Sequence, residues 1–349
     1  MVGGIVMKFR KMVCMLLICS LVIGSLAGCG GNDTQQSGPD SQPTEKIVIQ
    51  LNSSQGEGSV AVQGAYKMKE YVENKLGSDR VEIQVFPDAQ LGSDVNILEG
   101  MKLGTHDALI VGSPLTNVDT KFFLFDLPYL FNTREDVEKV TKGKVGEMLN
   151  ASLEEKGYVN LGYWFTGWRQ ITNNVRPIYT PEDLEGLKIR ISTSPSRQAL
   201  FEQLGAAPAA LAASETFSAL QQGVVDGQED PIYVLVTKAI QDVQKYASIT
   251  NHLVLVYEVV FAKDKWDSYP EDVQQALREA ALLVQDESWA MTEELEAEVY
   301  AEIEGKVEVN EAEIEAFKAV TEELYTDPYF VENIGEELLD ELMTTLGRK

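Results

Sequence analysis

Apolar runs of strand length alternate with segments of helical periodicity from residue 46 to residue 111, and this alternation limits the fold more than any other feature. "KIVIQL" (46–51) and "VEIQVF" (81–86) have the length and pattern of strands. Apolar side chains recur at helical spacing over 58–76, a second helix is expected over 96–103, and 108–111 is typical of a buried strand. The order strand, helix, strand, helix, strand predicts an α/β fold with a parallel sheet.

The rest of the chain continues this pattern, and its 349 residues are enough for two domains. A long aromatic strand over 158–172 is expected to cross between the domains, and 253–261 is expected to be a buried strand. One apolar stripe from 271 to about 304 predicts a long helix. The shorter predicted elements are two helices within 134–156, helices over 196–204, 214–222 and 232–240, a brief strand over 224–226, and two closing helices.

The N-terminal segment has the pattern of a secretory signal. A basic start, "MKFRK" (7–11), precedes an apolar run over 13–26 that is shorter than the roughly 20 residues of a membrane-spanning helix. The run ends in "LAGC", which resembles a bacterial lipoprotein signal and implies cleavage of 1–28 and lipid attachment to Cys29. The following residues, to Thr44, are almost all polar or small, so 29–44 is expected to be a flexible tether. A true membrane anchor is the alternative.

Cysteine usage and charge exclude several function classes. The three cysteines are Cys14, Cys19 and Cys29, so the body has no thiol for catalysis, disulfides or a Cys-based zinc site. The formal net charge of −26 makes nucleic acid a poor partner. Arginines are nevertheless clustered, with four between residues 169 and 197, which indicates a local site for an anion.

Two motifs have chemical alternatives that the residues alone leave open. "GEGSVA" (56–61) has the form of a dinucleotide fingerprint, but it begins five residues beyond its strand and no acid ends the next strand. "GVVDGQEDP" (223–231) lacks the ligand spacing of a calcium loop. Its acids are interpreted as a solvated turn, a carboxylate pair for glycosidic chemistry, or one wall of a ligand pocket. No metal site, cofactor or catalytic residue is predicted.

Six segments occur in a characteristic order along the chain: "FPDAQLG" (86–92), "LPYLF" (127–131), "GWRQITNNVRPI" (167–178), "DLEGLKIR" (183–190), "LGAAP" (204–208) and "SALQQGVVDGQEDP" (218–231). Together they resemble the extracytoplasmic solute-binding proteins of TRAP transporters, the DctP-type family, over 45–349. The resemblance implies a two-lobed α/β clamp with a ligand cleft between the lobes and a long helix along both. It also implies an organic-acid ligand, a membrane permease as partner, and no enzymatic activity. The expected lobes are 45–167 with about 256–297, and 168–255 with about 298–349.

The resemblance assigns roles to two arginines. Arg190 matches the family arginine that holds the ligand carboxylate, where a planar guanidinium forms two parallel charge-assisted hydrogen bonds that lysine does not reproduce. Arg169 matches a second, less uniform arginine facing the cleft. Arg176 and Arg197 match no such position and are expected at the surface.

Other positions follow from the same resemblance. Asn52 matches a polar position after the first strand, and Asp94 matches a ligand-contacting acid of some members. Thr193 offers a hydroxyl beyond the arginine strand. Ala213 stands where sialic-acid binders carry Phe, which implies a wider or differently shaped wall. These residues, with Arg190, Arg169 and Asp230, are the predicted ligand-binding set.

Asp230 departs from the family pattern, which usually ends "QENP" where this chain has "QEDP". An ionised Asp230 would repel a ligand carboxylate, and an unpaired buried charge is costly. Three solutions are possible: pairing with Arg169 or Arg190, accepting from ligand hydroxyls or an ammonium, or protonation. We favour the first two, which predict a ligand with one carboxylate and a hydroxyl- or amine-bearing tail. The rival functions are a surface hydrolase using Asp226, Glu229 or Asp230, and a sensory lipoprotein.

Overall fold

A computed structural model describes residues 46–348, and within this range it contains ten β-strands and twelve α-helices. The strands are β1 (Ile47–Ser53), β2 (Val81–Phe86), β3 (Ala108–Val111), β4 (Tyr158–Asn173), β5 (Lys188–Ile191), β6 (Ala207–Ala210), β7 (Gly227–Pro231), β8 (Tyr246–Ile249), β9 (Val254–Ala262) and β10 (Glu308–Glu311). The helices are α1 (Val60–Leu76), α2 (Asp94–Lys102), α3 (Arg134–Thr141), α4 (Lys144–Glu155), α5 (Pro195–Gln203), α6 (Thr216–Gln221), α7 (Val234–Thr237), α8 (Lys263–Ser268), α9 (Glu271–Ile303), α10 (Ile314–Thr321), α11 (Pro328–Ile334) and α12 (Glu336–Thr345).

The strands form a mixed sheet in the order β2-β1-β3-β9-β4-β7-β5-β6, with β8 paired to β4 and β10 paired to β8. β1 runs parallel to β2 and β3, and β5 runs parallel to β6 and β7. β9 is antiparallel to both β3 and β4, so the prediction of a parallel sheet holds only within each half. The fold is the expected two-lobed α/β architecture, with the parallel strands of each lobe joined through antiparallel pairs along β4.

The long strand β4 belongs to both halves of the sheet. Its first part pairs with β9 as far as Trp168, and its last part pairs with β7 and β8 from Arg169 onward. Gly167, with a φ of 116°, lies at this change of partner, and a Cβ there would lie 2.9 Å from a carboxylate oxygen of Glu296. The predicted long strand is confirmed and pairs with both halves of the sheet, and Arg169 lies directly after the change of partner.

The long helix α9 packs along both halves. Its N-terminal part, including Val273 and Val284, joins the apolar core around β1 and α1, whereas Val299 and Ile303 join a separate core around α7 and β8. A hydrogen bond also holds α9 against β4, since the indole N–H of Trp164 on β4 donates to the carbonyl of Ala281 on α9 at 2.9 Å. The apolar stripe predicted for this helix is therefore buried in two cores rather than one.

Two predicted elements near the acidic motif are wrong in position. The strand is Gly227–Pro231 rather than 224–226, and α7 covers only Val234–Thr237 of the predicted 232–240 helix. Asp226 is a connecting residue whose carboxylate accepts from the backbone N–H of Lys188 at 2.8 Å. Gly227 can begin the strand because it has no Cβ, which would lie 2.0 Å from the carbonyl oxygen of Thr172. Two of the three acids of the motif, Glu229 and Asp230, thus lie on a strand, and Asp226 precedes it.

The predicted signal peptide (1–28), the tether and the lipid-attachment residue Cys29 lie outside the described residues. Residues 46–348 include no helix that is both long and apolar enough to cross a bilayer. The predicted lobe boundaries stay a prediction.

Candidate ligand-binding site

A cavity of about 290 Å³ lies against the carboxyl ends of β5 and β7 and the N-terminus of α2. Its walls come from both halves of the sheet, with Ser54 and Asp94 from one and Arg169, Arg190 and Asp230 from the other. The lining is mixed in character, since polar side chains alternate with small residues such as Ala210 and Ala212 and the ring of Tyr257. We call this space the arginine chamber.

Six of the seven predicted ligand-binding residues lie together on this chamber: Arg169, Arg190, Asp230, Asp94, Thr193 and Ala213. Within the described part of the chain, Asn52 is the predicted residue that does not line it. The side chain of Asn52 is buried and its amide donates to the carbonyl of Ala108 at 2.9 Å, which ties β1 to β3. Asn52 therefore has a structural contact instead of the predicted place in the cavity wall.

Arg169 is held by two neighbouring carboxylates of the acidic motif. Its Nε donates to the Glu229 carboxylate, Nη2 donates to the Glu229 carbonyl oxygen at 2.6 Å, and Nη1 lies 3.0 Å from Asp230. Burial opposes the positive charge, but the carboxylates of Asp230 and Glu229 outweigh it and raise the pKa of the Arg169 guanidinium. Arg169 is thus a fixed cation with most of its hydrogen-bonding capacity used inside the protein.

Arg190 is as buried as Arg169, but its positive charge is less well balanced by carboxylates. Its Nε and Nη2 donate to the carbonyl oxygen of Leu211 at 3.0 and 2.8 Å, and its Nη1 lies 3.5 Å from Asp230. Burial lowers the pKa of Arg190, because the Asp230 charge only partly offsets the lost hydration. A guanidinium carries five N–H donors. Arg190 therefore borders the chamber as a cation that still gains from a further anionic partner.

Asp230 lies between the two arginines, with 14 % of its side chain exposed. Oδ1 faces Arg169 at 3.0 Å and Oδ2 faces Arg190 at 3.5 Å. Burial raises the pKa of Asp230, and the two guanidinium groups act in the opposite direction. Of the three solutions considered for the Asp in "QEDP", pairing with both arginines is the arrangement in the structure.

Arg197 was expected at the surface, and this prediction is wrong: its side chain is 1 % exposed. Nη1 donates to both carboxylate oxygens of Glu229 at 2.9 Å, and Nε donates to Asp126 at 3.2 Å. Ser194 and Ser196 also donate to Asp126, at 2.7 and 2.6 Å. Two buried acids from separate segments therefore balance this cation, and no local pattern around residue 197 contains either of them.

The six charges form one buried row in which signs alternate: Asp126, Arg197, Glu229, Arg169, Asp230 and Arg190. The predicted ligand-binding set contained Arg169, Arg190 and Asp230 but not Asp126, Glu229 or Arg197. One signal pointed to Arg197, because it lies in the first turn of α5, where the helix dipole disfavours a cation unless acids face it. His252 packs beside the row with Nε2 3.5 Å from Glu229, and burial lowers its pKa.

Asp94 faces the arginines from the opposite wall. It opens α2 after the N-cap residue Ser93 and accepts from the hydroxyl of Ser54 at 2.8 Å. Burial raises the pKa of Asp94 to about 6, against the lowering effect of the Ser54 hydrogen bond and of Arg190. The pKa of Asp94 is thus closer to neutral pH than that of a solvent-exposed aspartate.

Comparison with known proteins agrees with this architecture. Residues 51–332 match the family model described as bacterial extracellular solute-binding protein, family 7 (DctP). The C4-dicarboxylate-binding periplasmic protein DctP of Rhodobacter capsulatus is 37 % identical over 263 residues, covering 74 % of this chain and 77 % of that protein.

Two solved structures are similar over nearly their whole length. A TRAP periplasmic solute-binding protein of Sulfurospirillum deleyianum with bound succinate has a TM-score of 0.80 and 32 % identity, covering 86 % of this chain and 99 % of that one. The Roseobacter denitrificans protein with bound L-galactonate has a TM-score of 0.79 and 29 % identity, with 86 % and 99 % coverage. The family match spans most of the sequence, and the chain belongs to the DctP family of TRAP solute-binding proteins.

Proposed function

We propose that this protein is the substrate-binding subunit of a TRAP-type secondary transporter, and that it captures a small hydroxylated or sugar-acid-like carboxylate. The observation that carries the proposal is the pair of buried arginines bordering one chamber, of which Arg190 has a single, distant carboxylate partner at 3.5 Å. The family consists of ligand-binding transport proteins, so the surface-hydrolase alternative is not favoured.

Arg190 is the proposed primary contact of the ligand carboxylate. Two of its nitrogens are already fixed on the carbonyl of Leu211, which holds the guanidinium plane in place before the ligand arrives. A preoriented fork loses little entropy on binding, and a carboxylate accepts from it with charge-assisted hydrogen bonds. Arg169 adds positive potential from behind Asp230, although its own donors are largely occupied.

Asp230, Asp94 and Thr193 are the proposed partners of the ligand tail. Carboxylate oxygens accept hydrogen bonds, so both acids favour a tail that carries hydroxyl groups over a second carboxylate. Ser192 has a buried hydroxyl oxygen that no hydrogen bond within residues 46–348 satisfies. An unpaired buried polar group of this kind is costly until a ligand or water meets it. These contacts support a polyhydroxy monocarboxylate as the ligand.

Ligand capture is proposed to couple to closure of two lobes, comprising 45–167 with about 256–297 and 168–255 with about 298–349. Support comes from β4, which changes partner next to Arg169, and from contacts of Lys238 with two residues of the first lobe. Lys238 Nζ lies 2.9 Å from the carbonyl oxygen of Ser54 and 2.8 Å from Asp88, both in the first lobe. Closure excludes water and strengthens the arginine–carboxylate attraction.

Delivery to an ion-gradient-driven membrane permease completes the proposed function. A lipid on Cys29 would keep the protein at the membrane, and residues 29–44 would act as the tether. A sensory lipoprotein with the same clamp is the remaining alternative. Deleting the permease genes separates the two, because uptake of the cognate acid is lost in a transporter and retained if the protein only signals.

A thermal-shift screen of the purified full-length chain tests the binding proposal directly. The panel contains succinate, L-galactonate, D-erythronate, glucose and 1,5-diaminopentane, so that carboxylate, hydroxyl and positive charge are separated. We expect hydroxylated acids to raise the melting temperature, with no rise for the sugar or the amine-rich compound. The Arg190→Ala variant is the matched control and is expected to lose the shift. Stabilisation by glucose equal to that by the acids would contradict the proposal.

A further inference from the structure

A second cavity of about 220 Å³ adjoins the arginine chamber. The two share four lining residues, Gln55, Ala213, Ser214 and Asp230, so they meet at this boundary. Asp230 is the acid that already pairs with both arginines, and Ala213 and Ser214 are small. Two of the four residues that border the junction therefore have side chains of at most two heavy atoms. We call the added space the second chamber.

The walls of the second chamber combine an apolar side with a polar end. Phe217, Val234 and Ile240 provide the apolar side. The polar end is the ion pair of Lys238 and Asp88, whose charges already balance each other at 2.8 Å. A neutralised ion pair is a good partner for hydroxyl groups and offers little to a free carboxylate. This chemistry fits a neutral tail with a hydrocarbon face and hydroxyl groups.

The backbone around the second chamber is held in an unusual conformation. Of the five non-glycine residues with positive φ in the described range, three flank this space: Asp88, Ala89 and Ala239, with φ of 53°, 53° and 54°. Left-handed conformations of this kind are costly and persist where the surroundings enforce them, often at ligand sites.

Two loops approach each other closely beside the second chamber. A Cβ on Gly56 would lie 2.7 Å from the carbonyl oxygen of Thr237 and 3.3 Å from Asp88. Glycine at 56 therefore lets the turn after β1 come against the residues next to Lys238. The motif "GEGSVA", which suggested a dinucleotide loop, contributes this contact and places the neighbouring Gln55 on both chambers.

We propose that the ligand is an acid of about six carbons whose neutral, hydroxylated tail passes Ala213 and enters the second chamber. The inference rests on the proposed function, in which the carboxylate lies at Arg190. Ligand pockets commonly measure roughly 300–1,000 Å³, and the arginine chamber alone, at about 290 Å³, falls just below that range. A four-carbon acid held at Arg190 is expected to end within the arginine chamber, whereas an extended six-carbon acid is expected to reach past Ala213 into the second chamber. Ala213 and Ser214 are thus residues that determine ligand length.

The test compares L-galactonate, with six carbons, and D-erythronate, with four, by calorimetry on the full-length chain. We expect the wild type to bind L-galactonate at least about tenfold more tightly. Ala213→Leu narrows the junction. It is expected to weaken the binding of L-galactonate about tenfold and to change the binding of D-erythronate less than about threefold. Ala212→Leu is the matched control, because Ala212 lines the arginine chamber only, and it is expected to weaken both acids. Ser214→Leu, at an exposed position on the same junction, repeats the test if Ala213→Leu does not fold.

Each outcome of this comparison either supports or overturns the inference. Selective loss of the longer acid supports the inference. Equal affinity of the wild type for both acids, or equal weakening of both by Ala213→Leu and Ser214→Leu, overturns it and leaves the proposed function intact. Absence of binding for every acid tested, succinate included, overturns the proposed function and this inference with it.

Discussion

Replacing Asp230 with Asn tests how the buried row of charges selects its ligand. The row contains three arginines and three acids, so its formal charge is zero while Asp230 is ionised. Asp230→Asn keeps the size of the side chain and leaves one uncompensated positive charge beside the arginine chamber. The substitution also restores the residue usual in the family at this position.

The expected magnitude follows from Coulomb's law. A ligand carboxylate on Arg190 would lie on the order of 5 Å from Asp230, where two unit charges interact by about 3 kcal/mol at an effective dielectric constant of about 20. Partial exposure of Asp230 and water in the chamber reduce this value. We expect about 1–2 kcal/mol, which corresponds to roughly tenfold tighter binding of succinate, an acid without hydroxyl groups. L-galactonate is expected to gain less or to lose affinity, because its hydroxyl groups lose an anionic acceptor.

Isothermal calorimetry with succinate and L-galactonate on both forms of the protein measures the change in preference. Asp242→Asn is the matched control, because it removes the same charge from an exposed position that lines neither chamber. Melting temperatures establish that the variants are folded. If Asp230→Asn weakens the two acids by the same factor, Asp230 serves only to orient the arginines, and the argument for a hydroxylated ligand is refuted.

Three further changes have definite expected outcomes. Arg190→Ala is expected to weaken binding of the cognate acid by well over tenfold in calorimetry, since truncating one partner of a buried charge pair costs about 2–5 kcal/mol; unchanged affinity would contradict its role. Arg197→Met leaves Asp126 and Glu229 buried without their shared cation, so denaturant titration should give a free energy of unfolding lower by about 3–5 kcal/mol, and a change below about 1 kcal/mol would contradict the account. Asp94, with a pKa of about 6, loses its proton as pH rises and then repels the ligand carboxylate. The affinity for succinate, which has no hydroxyl group for Asp94 to accept from, should therefore fall about tenfold between pH 5 and 7.5, and Asp94→Asn should remove this fall.

Helices and strands with a long, regular pattern of apolar side chains were predictable from the sequence. The helix expected over 271 to about 304 is Glu271–Ile303, and the strand expected over 253–261 is Val254–Ala262. Both are specified by side chains within the element itself. The antiparallel insertion of β9 between β3 and β4 was not predictable in this way, because strand order depends on contacts between segments distant in sequence.

The site shows the same division between local and distant information. Arg169, Arg190 and Asp230 were found because each lies in a motif of the family. Arg197 was misplaced because its burial depends on Asp126, 71 residues away, and on Glu229, 32 residues away. Asn52, by contrast, lies on β1, where its amide donates to the carbonyl of Ala108 on a neighbouring strand. The sequence therefore indicated where a residue lies within a helix or strand, but it did not indicate which distant residue that side chain contacts.

The burial of the arginine row has a kinetic consequence. Salt ions screen charges in solvent over about 8–10 Å at physiological ionic strength, but they do not enter a protein interior. The exterior of this chain is strongly anionic, with a formal net charge of −26, and it repels an approaching acid. Added salt should therefore speed association of the ligand and leave its dissociation nearly unchanged. This protein should thus bind its anionic ligand more tightly at higher salt, whereas most anion-binding proteins bind more weakly.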